Sequence, residues 1–195
     1  MTTEMRIRSC SRLLASVFLL SLLSCVAAAQ SRDHLTPQEV ELVRESQVLD
    51  LRTEVFIKAI ERRLLALTGA QPANAKQFQK DSEKWGELPK GTRAELIGDI
   101  AKILDEAITN IDDVGFHDEK NPLLPKALRK LDTTAEQLVA QLTPLGEQTR
   151  NADEISSIGQ VIENAQSIIE AARKLPPPTA AEKGKGKTKK PKEKP

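Results

Sequence analysis

Five residues able to hold a cation fall within eight positions: Asp112, Asp113, His117, Asp118 and Glu119. Carboxylates and an imidazole suit a hard cation or zinc. A calcium loop, however, needs acidic or amide residues at alternate positions and a glycine at the sixth. The segment Asp-Asp-Val-Gly-Phe-His-Asp-Glu places its acids side by side instead. Acids clustered between two apolar stripes are expected in a solvated turn, with Asp118 helping to start the next element. The other imidazole, His34, precedes a helix start on an N-terminal arm and is expected to carry no function.

Larger constellations are missing. Paired-iron bundles use Glu-x-x-His on facing helices, and neither His34 nor His117 has a Glu three residues before it. His-Glu-x-x-His, Cys-x-x-Cys-His, the phosphate-cradling glycine loops and the Gly-x-Ser-x-Gly elbow are absent. The only methionines are Met1 and Met5, so the chain beyond its first residues has no sulfur-rich copper site. No cofactor, no metal and no catalytic residue are expected.

The remaining chemistry is at the N-terminus. Arg6, Arg8 and Arg12 precede an apolar run from Leu13 to about Leu23, and small residues ending in Ala27-x-Ala29 follow. That is the layout of a secretory leader, and the run is short for a membrane span. Two processing signals overlap there. Leu22-Leu23-Ser24-Cys25 fits lipid attachment at Cys25, whereas Ala27-Ala28-Ala29 fits a cut between Ala29 and Gln30. The apolar run continues past Cys25 and turns polar only at Gln30, so the cut after Ala29 is favoured. The cysteines, Cys10 and Cys25, both lie before that cut. A chain starting at Gln30 then has no disulfide, thiolate ligand or cysteine nucleophile.

Charge is distributed unevenly. The net +1 combines +2 over residues 1–29, +5 over 176–195 and therefore −6 over 30–175. The end, Pro176 to Pro195, carries seven Lys among Pro and Gly and is expected to be disordered. Such a tail attracts polyanions. The tail is expected first as a solubilising end; as a binding segment behind a leader, its expected partners are anionic envelope polymers or lipid headgroups, and nucleic acid is not.

The elements that would position any site are helices. Aromatics amount to 3%, no alternating run appears, and apolar residues recur at spacings of three and four. Four amphipathic helices are expected, at about 37–68, 93–113, 122–143 and 152–174. The first starts at Thr36-Pro37-Gln38-Glu39 and the second at Thr92-Arg93-Ala94-Glu95, both capping boxes. Gly69 and Gly115 are expected to stop them. Asn121-Pro122 and Asn151 begin the third and fourth. Pro144 predicts a break or kink between Gln141 and Gly146. Within Ala70–Gly91 a short helix around Ala75–Trp85 is expected, with Phe78 and Trp85 capping one end of the core. The charged residues of the first helix, among them Glu41, Glu45, Asp50, Glu54, Arg52, Arg62 and Arg63, are expected on an outer, solvated face.

The stretch His34-Leu35-Thr36-Pro37-Gln38-Glu39 resembles the Leu-Thr-x-x-Gln element of small periplasmic helical stress chaperones, with Glu39 where that family has Gln. Leu142-Thr143-Pro144 repeats its first residues. A Thr-Pro helix start accounts equally for both occurrences, so the match identifies no family.

The expected architecture is an all-α, antiparallel four-helix bundle-like domain over residues 30–175, or a helical hairpin that completes its bundle as a homodimer. The expected role is that of an exported, non-enzymatic helical protein that binds a protein or an anionic envelope polymer, or is structural, in the cell envelope. A small periplasmic chaperone or stress sensor is the alternative. A lipid-anchored envelope protein, tethered through Cys25, is the second; the lysine tail offers another membrane tether.

Overall fold

The computed structural model describes residues 33–69 and 75–177, and from His34 onward they belong to one compact unit. Among the described residues there are six helices and no strand: α1 (Pro37–Glu45), α2 (Leu49–Thr68), α3 (Ala75–Trp85), α4 (Arg93–His117), α5 (Leu124–Gln148) and α6 (Ala152–Arg173). None of them is long and apolar enough to cross a membrane.

The capping signals act locally as their chemistry requires. Thr36 Oγ1 accepts from Glu39 N, and the Glu39 carboxylate accepts from Thr36 N at 2.9 Å. Thr92 and Glu95 form the same box at the start of α4. Asn151 Oδ1 accepts from the backbone of Asp153 and Glu154. Gly69 closes α2 at φ 59°, in the left-handed region that favours glycine.

Three boundaries differ from the sequence expectation. The first helix is two, broken at Ser46–Val48. Backbone carbonyls released there are taken up by side chains: Arg52 Nε donates to Ser46 O at 2.8 Å, and Gln47 donates to Arg44 O. The break also shifts the buried face. Leu49, Asp50, Thr53 and Phe56 point inward, whereas Val48 and Leu51 remain about half exposed. Second, α4 runs through Gly115 to His117, and Asp118 N bonds Val114 O. The following turn uses Asn121, whose side chain accepts from Leu123 N, so α5 starts at Leu124. Third, α5 passes Pro144 without ending. Pro144 and Ala140, whose carbonyl loses its helical donor, both lie on the wet face, where water can take that carbonyl. Leu142, two residues earlier, is fully buried and fixes the path.

Four long helices, α2, α4, α5 and α6, share one core. Ile60, Ile97, Ile100, Leu104, Leu131, Leu138, Leu142 and Val161 are all essentially inaccessible. Residue pairs give their directions. Arg93 meets Glu154, Gly98 faces Ser157, and Asn164 donates to Ala101 O at 3.2 Å, so α4 and α6 run the same way. Gly146 faces Ile158 while Arg129 reaches Pro176, so α5 and α6 run oppositely. Asp50 meets Lys126 and Lys130, and Glu54 meets Lys130, so α2 and α5 run the same way. Consecutive α4 and α5 touch less than either touches α6. Short connections usually make antiparallel neighbours; here two neighbouring pairs run parallel, and α4 and α5 face each other across the core. This corrects a uniformly antiparallel arrangement.

Candidate functional site

The most concentrated polar chemistry is buried between α1, α2 and the segment after α3. Glu39 is wholly inaccessible, Arg63 is 1% exposed and Arg62 5%. Both oxygens of Glu39 accept from Arg63 at 2.7 Å, and Oε1 also accepts from Arg62 Nε at 3.1 Å. Arg63 also donates to the carbonyls of Ala59 and His34. Arg62 gathers the carbonyls of Trp85, Gly86 and Glu87, and its guanidinium lies 6.0 Å from the Trp85 ring centroid. Asp99 of α4 approaches Arg63 Nε at 3.9 Å, a nitrogen that makes no hydrogen bond. Burial by itself would raise the Glu39 carboxyl. Hydrogen bonds from Arg63 and the Thr36 backbone, and the charges of Arg63 and Arg62, outweigh it and hold the group below the usual carboxylate range.

This geometry clamps the N-terminal arm, because both Glu39 oxygens and the terminal nitrogens of Arg63 bond to the protein itself. Bidentate arginine–carboxylate pairing fixes register as well as charge. His34 adds a second tie, with Nε2 2.9 Å from Glu106 Oε2. The outer-face expectation is therefore wrong for Arg62 and Arg63, and for Asp50, which is 7% exposed. Asp50 pairs with Lys126 and Lys130. Burial pushes its carboxyl up, and hydrogen bonds from the two lysines overcome that and lower it. A signal was present: Arg63 continues the stripe Phe56-Ile60 toward Leu67, and Asp99 sits within the stripe Leu96-Ile100-Ile103. Opposite charges on two facing apolar stripes imply a buried pair.

The acidic cluster assembles differently from a metal site. Asp112, Asp113, His117, Asp118 and Glu119 are all exposed. His117 Nδ1 lies 2.8 Å from the Asp113 carbonyl, one turn back on the same helix. Among the described residues, no three His, Cys, Asp or Glu side chains converge as a cation would require.

Beside that cluster is an apolar concavity. Ile111, Leu124, Pro125, Leu128 and Leu175 bring α4, α5 and the end of α6 around a hollow of about 490 Å³. Asp112, Glu119 and Lys120 line its rim. A second hollow of about 220 Å³, lined by Ile108, Leu131, Ile168 and Ala171, shares Ile111, Asp112 and Leu128 with it. Phe116 stands nearby at 88% exposure. Sequence reasoning missed this groove, because its lining comes from three stripes whose relative placement no local pattern specifies.

Trp85 is buried, 7% exposed, at the end of α3, and α3 spans Ala75–Trp85 as its composition suggested. The leader, with Cys25, Ala29 and Gln30, lies outside the described residues, as do the side chain of Phe78 and the lysine-rich end beyond Pro177. No protein family, curated protein or solved structure matches the chain.

Proposed function

We propose that this chain is an exported, non-enzymatic helical protein with a binding or structural role in the cell envelope. The observation that carries this reading is the N-terminal order of Arg6, Arg8 and Arg12, the apolar run Leu13–Leu23, and Ala27-x-Ala29. The helical body supports it: its best-defined polar cluster is consumed in holding α1, and the four long helices are read as a four-helix bundle closed around an apolar core. The seven lysines after Pro176 supply attraction for an anionic envelope polymer or headgroup. Mass spectrometry of the mature N-terminus, combined with cell fractionation, tests the proposal. A start at Gln30 in the envelope fraction is expected, and an intact Met1 in the cytosol refutes export. A lipid on Cys25 instead selects the anchored form. Removing residues 176–195 tests the tail: sedimentation with envelope fractions unchanged across salt eliminates it as a tether.

A second reading, a small periplasmic helical chaperone, is favoured by one feature. Phe116, which follows the groove-lining Gly115 in the chain, is exposed, and an exposed aromatic next to an apolar groove lining suits unfolded clients. It predicts suppression of client aggregation at substoichiometric ratios, and no suppression removes it.

A further inference from the structure

We propose that the apolar groove between α4, α5 and the end of α6 is the docking site of this chain's own C-terminal segment, residues 178–195. The place where the described chain ends is the first argument. Leu175 is part of the groove lining, and the carbonyl of Pro176 accepts a hydrogen bond from Arg129 of α5. The exit is thus tied down at the groove mouth rather than directed away from the body. A hollow of about 490 Å³ is the size of a ligand pocket, not of a packing defect.

Composition matches the two parts of the site. The segment begins Pro178-Thr179-Ala180-Ala181, small and largely apolar, and continues with Lys183 to Lys194. Five extended residues span about 16 Å, enough to lay Pro178 to Glu182 along the floor formed by Ile111, Leu124 and Leu128. The lysines then meet the rim. Asp112 and Glu119 line the groove, Asp113 and Asp118 adjoin them, and Lys120 is the one basic residue in its lining. Lys126, on the next turn, is engaged by Asp50. The segment carries seven Lys against Glu182 and Glu193, and the body it leaves carries −6.

Reach decides where on that acidic body the lysines settle. A flexible chain of six residues has a root-mean-square span of about 13 Å, and one of seventeen residues about 23 Å. Those lengths separate Pro177 from Lys183 and from Lys194. The acids at the opposite end of the helices, Glu95 and Asp153, are about 33–37 Å away along α6 and α4 at 1.5 Å per residue. The tail therefore samples the Asp112–Glu119 rim at millimolar effective concentration, and the far acids rarely. Bound there, its Pro-Ala stretch covers this apolar hollow, and a polyanion must compete for lysines already facing carboxylates.

Zero-length carbodiimide cross-linking of the purified chain, from an equal mixture of ¹⁴N- and ¹⁵N-labelled protein, tests this. Tail lysines are expected to couple to Asp112, Asp113, Asp118 and Glu119 within one copy. The yield should be several-fold above that on Glu41, Glu45 and Asp153, which are equally exposed. Cross-links spread evenly over these acids, or joining mainly light to heavy chains, overturn the proposal; the second result assigns the groove to another copy. Methyl NMR gives a second reading. Deleting residues 178–195 is expected to shift Leu124, Leu128 and Leu175, and Ala180→Asp with Ala181→Asp to reproduce part of that shift. Unchanged groove methyls overturn it. The exposed double change Asp112→Lys with Glu119→Lys is expected to cut coupling at Asp113 and Asp118 several-fold at low salt. These tests use pure protein, so their outcome is independent of whether the chain is exported.

Discussion

Glu39→Gln is the sharpest perturbation, because it changes one charge and almost no volume. In the native protein the Glu39 carboxylate accepts from Thr36 N, Arg62 Nε and both terminal nitrogens of Arg63. A glutamine keeps one carbonyl oxygen and turns an amide donor toward guanidinium donors. At least one charge-assisted hydrogen bond is then lost, costing about 1.5–3 kcal/mol. Two guanidinium groups, 1% and 5% exposed, also lose their carboxylate, and breaking a buried pair from one side costs about 3–5 kcal/mol. Asp99, 3.9 Å from Arg63 Nε, offsets part of this. The expected net loss is about 3 kcal/mol, or roughly 6–12 °C in Tm for a domain of this size. Urea denaturation followed by far-UV circular dichroism and by the fluorescence of Trp85, the single tryptophan, measures it. Trp85 is a local reporter because its carbonyl is held by Arg62. The exposed Glu41→Gln, at a residue whose ion pair is with the exposed Arg44, is the control and should stay within about 0.5 kcal/mol. A Glu39→Gln loss no larger than that control would refute the buried clamp and return Arg62 and Arg63 to a solvated face.

Three further outcomes follow from the same geometry. Glu39 and Asp50 have folded-state pKa values below their unfolded ones, so their stabilisation is present above about pH 4.5 and lost as pH falls through the folded values. Acid titration of stability should therefore be shallower in a Glu39→Gln, Asp50→Asn double variant, and an unchanged slope contradicts the assignment. Asp50→Ala should cost about 1–2 kcal/mol, less than Glu39→Gln, because Lys126 and Lys130 are 35% and 26% exposed and can return to water; equal losses in the same urea assay would contradict this. Pro144→Ala should stabilise by about 1–3 kcal/mol, since it restores an amide donor within an exposed stretch of α5; a destabilised variant would mean that the proline shapes a bend the core requires.

The capped termini of the helices were legible because capping is local chemistry, whereas the start of α5 and the ends of α4 and α5 were not. Thr36 with Glu39, Thr92 with Glu95, Asn151 and Gly69 each act within one turn. The break at Ser46–Val48 was not, because the stripe of three- and four-residue spacings continues through it in an alternative register. Val48 and Leu51 extend the pattern on paper, yet Leu49 and Thr53 are buried instead. The choice between registers was made outside the helix, by the clamp that docks α1 through Glu39 and by the lysines of α5 that hold Asp50 inward. Pro144 and Gly115 show the converse. Each is a local stop signal, and each is overridden where tertiary contacts fix the helix, as Leu142 does before Pro144 and as Leu124 does beside Gly115, 3.9 Å from where a Cβ would stand.

The charged residues carry the more general point. An outer face was the natural reading of Asp50, Arg62 and Arg63, because an isolated buried charge is prohibitive. That argument applies to charges taken singly, and these occur in sets. Glu39 has a free-standing reason to be acidic, the capping box, which a glutamine would satisfy as well. What requires a full carboxylate there is the arrival of two arginines from α2, more than twenty residues later in sequence. The departure of this stretch from the Leu-Thr-x-x-Gln element is thus the position where local capping and long-range charge compensation meet. It follows that Glu39→Gln alone should be costly, whereas the same change combined with Arg62→Met and Arg63→Met should recover much of the loss. Removing all the buried charges together leaves none unpaired, and apolar replacement of such sets is often neutral or better. If the triple variant is no more stable than Glu39→Gln alone, the arginines matter for the carbonyls of His34, Ala59, Trp85 and Glu87 more than for their charge.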